Sequence, residues 1–276
     1  MWLKRFGKRV FVALTAAVLL MASACETVKT TESGAVGVNR KQRMLVSEEE
    51  VEKGAQLAYA QEKQKAQAEG KLNANSALTS RVRNVSQRLI PGTAVFRSDA
   101  PNWPWEVNTL TTKELNAYCM PGGKIMVYSG LVEQLKLTDA EMAAVIGHEM
   151  AHALREHSRE RISRAYAQQI ALAGVAVVTG AGAGTMDLAN SVASVTFQLP
   201  HSREQESEAD IIGLELMARA GYDPNAAVSV WKKMMSADQG GSPQFLSTHP
   251  SPKTRIQDLQ ALVPKVMPFY ERANKG

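Results

Sequence analysis

Cysteine is nearly absent from this chain, with only Cys25 and Cys119 among 276 residues. A framework of several disulfides is therefore excluded, and the fold must rest on its core, for which the length is sufficient. Long apolar runs are missing too. The stretch from Val10 to Met21 is twelve residues, too short to span a bilayer. Histidine is scarce at five residues, which makes the placement of each one informative.

Two of the five lie in the string His148-Glu149-Met150-Ala151-His152. On a helix, His148 and His152 sit one turn apart on a single face, so their imidazoles can converge on one metal ion while Glu149 works on a bound water. Thr138 and Glu141 form a capping-box signature ahead of them. Met142, Val145, Ile146, Met150 and Ala153 then supply an apolar stripe at helical spacing. No proline or glycine cluster interrupts this pattern before Ser163, and Gly147 offers close backbone packing beside His148.

Catalytic zinc takes three protein donors and keeps a position open for water, so an acidic third ligand is sought elsewhere. Residues 202 to 210 read Ser-Arg-Glu-Gln-Glu-Ser-Glu-Ala-Asp, with Glu206 and Asp210 at i and i+4 of a helix running from about Ser202 to Arg219. One carboxylate can bind metal while the other supports it. The same run is also what a solvated acidic helix face looks like.

The pairing of HExxH with SRxxExxAD resembles the gluzincin metallopeptidases that include the CAAX prenyl proteases and HtpX-type membrane proteases, and in particular their branch of bacterial periplasmic lipoproteins. Residues 116 to 131, Asn-Ala-Tyr-Cys-Met-Pro-Gly-Gly followed by Lys124 to Tyr128 and Ser129-Gly130-Leu131, are similar to the family's stretch before the zinc helix. His249-Pro250 with Arg255 matches its HPxxxxR element. The resemblance covers roughly residues 105 to 260. It implies an α+β, mostly helical metalloprotease domain with a small sheet. It also implies one zinc ion held by His148, His152 and Glu206, with Glu149 as general base, Asp210 as partner of a ligand histidine, and Glu204 and Glu208 as flanking acids.

The chemistry so implied is amide hydrolysis by an activated water, with no covalent enzyme intermediate. His249 is the candidate donor to the oxyanion, with Arg255 positioning it or touching substrate. As a nitrogen base on a loop after Gly240-Gly241, His249 can also be a fourth zinc ligand that holds the enzyme latent, or it can cap the helix begun by Ser251 and Pro252. Lys124 to Tyr128, after a Pro-Gly-Gly turn, is expected to be an edge strand beside the cleft, open to an extended substrate. His157 lies about 140° round the helix from His152 and is expected at the surface. His201 belongs to the start of the Glu206 helix.

The N-terminus has the character of a signal peptide, with Lys4, Arg5, Lys8 and Arg9 before the apolar run and Ala22-Ser23-Ala24-Cys25 after it. Small residues ahead of cysteine resemble a bacterial lipobox, which implies cleavage before Cys25 and acylation that anchors the chain firmly. Glu26 in place of aspartate favours the outer membrane, facing the periplasm. Without residues 1 to 24 the chain carries 28 basic and 27 acidic residues, so no basic patch points to nucleic acid. Cys119 is then an isolated, buried thiol.

Residues 25 to 44 read as a lipidated tether and 45 to 263 as a single domain, with helices after Ser47, from Ser76 to Leu89 and after Pro224. Pro264 is expected to close the last helix before a tail at 264 to 276. Residues 170 to 186, apolar and glycine-rich, suit a lid over the cleft better than a membrane hairpin. The functional expectation is a zinc endopeptidase acting on misfolded or unassembled envelope proteins, with possible links to outer-membrane assembly machinery. The alternative is a non-catalytic, chaperone-like lipoprotein that docks partners in the same cleft.

Overall fold

The computed structural model describes residues 26–173, 185–237, 244–250 and 254–275. The expected signal peptide, Cys25 and most of the expected lid at 170 to 186 lie outside the described residues. Elements follow in the order β1 (Glu26–Val28), β2 (Gln42–Met44), α1 (Glu48–Ala68), α2 (Ser76–Leu89), β3 (Glu106–Leu110), β4 (Ala117–Met120), β5 (Lys124–Tyr128) and α3 (Ser129–Gln134). They continue with α4 (Asp139–Leu154), α5 (His157–Ala173), α6 (Thr185–Phe197), α7 (Arg203–Arg219), α8 (Asn225–Ala237), α9 (Gln244–Thr248) and α10 (Thr254–Ala273). The architecture is α+β and mostly helical, with one three-stranded sheet and a separate hairpin.

Helix α4 carries the HExxH string. The Thr138–Glu141 capping box forms at its start in both directions, satisfying two N-terminal donors. Every residue from Glu141 to Leu154 is buried, so α4 is a central helix wrapped on all sides. Helix α7 starts from a capping box at Ser202 and Gln205 and packs along α4. The two helices touch backbone to backbone at their glycines. A Cβ on Gly213 would stand 2.7 Å from His148 N, and one on Gly147 would stand 3.1 Å from Gly213 O. That close approach brings Glu206 and Asp210 to the histidine face of α4, the role anticipated for Gly147.

Four expectations are corrected. Strand β5 is central in the order β3-β5-β4, parallel to β3 and antiparallel to β4, so both edges of Lys124–Tyr128 are occupied and it cannot take up a substrate strand. The edge strand packed against the zinc helix is β4. Five consecutive buried residues in β5 are the mark of a fully enclosed strand.

Residues 26–44 are not a loose tether. They form the β1–β2 hairpin and its loop, with Thr30, Thr31, Val38, Gln42 and Met44 buried. At the other end α10 runs through Pro264 and Pro268 to Ala273. A proline forfeits one helical hydrogen bond, and the buried stripe Leu259, Val263 and Val266 holds the helix against the core regardless.

The fourth concerns His157. Helix α4 ends at Leu154, and Glu156 adopts a left-handed conformation with φ 52°. The chain turns there, and His157 faces back toward α4 fully buried. The assumption of one unbroken helix is what placed it at the surface.

Candidate metal centre

All five histidines of the chain meet in one place. The ring of His201 lies 4.0 Å from that of His152, tilted by 40°, and stacks 4.9 Å from that of His249. The backbone N–H of His201 donates to Thr248 O, and its ring contacts Arg161. It adjoins the N-terminal turn of α7, as expected, while also lining the site.

The Nε2 atoms of His148 and His152 are 3.0 Å apart. Glu206 brings Oε2 within 3.6 Å of the first and Oε1 within 3.4 Å of the second. Donors about 2.1 Å from a tetrahedral zinc stand about 3.4 Å from one another, so this spacing fits one ion shared by the three. The donor chemistry fits as well. Burial pulls both imidazoles down toward the neutral form that binds metal. For Glu206 burial works the other way, but His249, His152 and His148 outweigh it and hold the carboxyl well below its ordinary value.

Each ring offers its Nδ1 to a support. His148 Nδ1 lies 3.1 Å from Asp210 Oδ1, and His152 Nδ1 lies 2.8 Å from His157 Nδ1. Arg255, from the start of α10, donates to Glu206 Oε2 at 2.7 Å and to Asp210 Oδ1 at 2.7 Å, with a further contact from its Nε to Asp210 Oδ2. Its guanidinium covers the face of Trp231 at 3.4 Å. Arg255 thus grips Glu206 and Asp210 and stands 3.2 Å from His148 Nδ1, so what it positions directly is this group and not His249, and with the two carboxylates it also lines a cavity beside α7.

Glu149 Oε1 is buried with no hydrogen-bond partner among the described residues, and its closest cationic neighbour is His249 Nε2 at 3.5 Å. Burial pushes the Glu149 carboxyl up to about 7, against the opposing pull of His249. His249 places Nδ1 2.9 Å from Glu206 Oε1 and 3.3 Å from His148 Nε2, so its ring bridges the carboxylate cluster and Glu149. Burial opposes its protonation, yet Glu206 and Glu149 hold its pKa above the ordinary value. The four residues His148, His152, Glu206 and His249 have ligand atoms all within 4.8 Å of one another.

The sequence profile of peptidase family M48 matches residues 76–263. The chain belongs to that family. It is similar to mitochondrial metalloendopeptidase OMA1 of Schizosaccharomyces pombe, at 36% identity over 167 residues, 58% of this chain and 47% of that protein. OMA1 of Arabidopsis thaliana is 41% identical over 159 residues, 56% of this chain and 31% of that protein. A putative beta-barrel assembly-enhancing protease of Vibrio cholerae is 30% identical over 164 residues, 56% of this chain and 34% of that protein. The chain thus spans about half or less of the length of these relatives. Residues 76–263 thus carry the M48 peptidase domain, and the buried group of His148, His152, Glu206 and His249 within it could hold a metal ion.

Sequence reasoning missed His157, His201, Arg155 and Glu208. Histidine scarcity was the available signal, since all five lie between 148 and 249. Glu208, expected as a flanking acid, is buried against His157 and Arg155. Arg155 is itself fully buried, which nothing in its local pattern announces.

Proposed function

We propose that this M48 peptidase is a cell-envelope quality-control protease that cleaves misfolded or unassembled proteins. In this reading His148, His152 and Glu206 hold the zinc, and Glu149 is the base. The observation that carries the reading is the buried Glu149 carboxylate, whose Oε1 has no hydrogen bond among the described residues, beside three converging donors. A buried carboxylate oxygen without a hydrogen bond is costly, and a water molecule between it and the metal point is its natural complement. When bound there, zinc acidifies a water and polarises the substrate carbonyl.

Glu149 Oε1 then takes the proton of that water and passes it to the departing amine nitrogen. A carboxyl raised by burial is suited to both halves of that transfer. Asp210 fixes the His148 ring through Nδ1, and Arg255 holds Asp210 and Glu206 in register. His249, between Glu206 and Glu149, is placed to turn its N–H toward the oxyanion.

The proposed setting is the periplasmic face of the outer membrane, with a lipid on Cys25. Its support is the basic and apolar leader ending at Ala22-Ser23-Ala24-Cys25, together with the similarity to a putative beta-barrel assembly-enhancing protease of Vibrio cholerae. No described helix is long and apolar enough to cross a membrane. The test uses an unfolded outer-membrane protein as substrate. Glu149→Gln keeps zinc and loses cleavage, with wild type active; equal cleavage by both contradicts the mechanism, and binding without cleavage by wild type favours the docking alternative.

A further inference from the structure

Zinc coordination by His148, His152 and Glu206 leaves the burial of His157 unexplained. We propose that His157 is a positioning residue for His152, linking this ligand to Glu208 and, through Glu208, to the N-terminal hairpin. The inference rests on the metal-site reading above. With Nε2 of His152 directed at the metal point, its remaining ring hydrogen is on Nδ1 and is donated to His157 Nδ1 at 2.8 Å. His157 must then carry its own hydrogen on Nε2, which it donates to Glu208 Oε2 at 3.0 Å. One tautomer on each ring satisfies the whole chain of contacts.

Glu208 is held in turn from two directions. Arg155 donates to it at 3.1 Å, and Arg40 donates from Nε at 2.7 Å. Arg155 also donates to the hydroxyls of Thr30 and Thr31 at 3.0 and 3.2 Å and to the carbonyl of Arg40 at 2.9 Å. Arg40 forms a paired contact with Glu160 at 2.5 and 2.9 Å. The buried part of the cluster thus sets Arg40 and Arg155 against Glu160 and Glu208, with the exposed Arg164 at its rim 3.8 Å from Glu160, so no imidazole charge is needed to neutralise the carboxylates. The left-handed backbone at Glu156, φ 52°, is what turns His157 toward His152. Such a conformation is disfavoured for glutamate, and here it serves to complete the contact.

The proposal is tested by zinc competition against a chelator of known affinity, together with melting of the metal-free proteins. His157→Phe keeps the ring volume and removes both polar atoms; it is expected to bind zinc about 10- to 100-fold more weakly than wild type. His157→Gln keeps an acceptor and a donor and is expected to lose less than half as much on a logarithmic scale. A merely structural residue would shift metal-free melting in both variants and leave zinc affinity alone, which would overturn the inference.

Nitrogen-resolved NMR of the zinc-loaded wild type needs no substitution and decides the matter even if the phenylalanine variant fails to fold. The expected result is hydrogen on Nε2 of His157, with a bare Nδ1. Hydrogen on Nδ1 would overturn the relay. A wild type that takes up no zinc would remove both the site and the relay, whereas zinc binding indifferent to position 157 would remove the relay alone.

Discussion

The two histidines of the α4 string are one turn apart yet stand on different foundations. His148 leans directly on a carboxylate, Asp210, which Arg255 of the C-terminal helix clamps. His152 reaches its carboxylate, Glu208, only through a second imidazole, and that carboxylate is gripped by Arg155 and by Arg40 of the N-terminal hairpin. Both carboxylates and the third donor come from α7, at positions 206, 208 and 210. One helix therefore distributes the load of the site between the two ends of the chain. The difference teaches that the C-terminal support is direct and made of buried side chains, while the N-terminal support is one residue longer and ends on the partly exposed Arg40.

The largest effect is expected from breaking both sides at once. Gly213→Val pushes a side chain into the backbone of His148 and separates α4 from α7. The obstructing atoms are backbone and cannot yield, so the loss in denaturant unfolding is expected to exceed both the roughly 3 kcal/mol usual for overpacking and the cost of breaking any single ion pair, with zinc retention abolished. Next in size is the C-terminal side alone. Arg255→Met leaves Glu206 and Asp210 buried without their cation and should cost about 3–5 kcal/mol, read in the same unfolding experiment on metal-free protein.

Asp210→Asn sharpens the comparison at the metal. The fold should persist, but the amide no longer draws on His148 Nδ1 as an anion does, and zinc affinity measured by chelator competition should fall by about 10- to 100-fold.

The smallest effect lies at the N-terminal side and depends on pH. Burial works to raise the Glu160 carboxyl, but Arg40, Gln205 and Gln42 outweigh it and hold it at about 2. Its folded pKa is depressed below the unfolded value of 4.5, so it contributes stability that is full above about 4.5 and disappears as pH falls toward 2. Arg40→Met should remove that contribution, moving the acid-unfolding midpoint of the metal-free protein upward while changing stability at pH 7 by about 1–2 kcal/mol. Because Arg40 is partly exposed, the effect stays well below that of Arg255→Met.

The legible part of this site was whatever announces itself locally. Thr138 with Glu141 and Ser202 at the head of α7 are capping signals, and HExxH with Glu206 and Asp210 are spacings on single helices. The unread part depends on pairings between distant segments. Nothing near Lys124–Tyr128 shows that β3 will add in parallel along its second edge, although its uninterrupted burial is compatible with a central place. The polar residues from 26 to 44 looked like a linker because their partners, Arg155, Glu208 and Glu215, lie more than a hundred residues away. His157 was lost for want of one dihedral angle at Glu156.

The central claim is that His148, His152 and Glu206 share one zinc ion. Anomalous diffraction at the zinc edge from crystals of the purified wild-type chain tests it most directly. The account predicts a single peak about 2.0–2.1 Å from Nε2 of both histidines and about 2.0–2.2 Å from a Glu206 oxygen, with both Nδ1 atoms turned away to Asp210 and His157. A peak bound through Nδ1, a site that excludes Glu206, or full zinc loading of Glu206→Ala would contradict it.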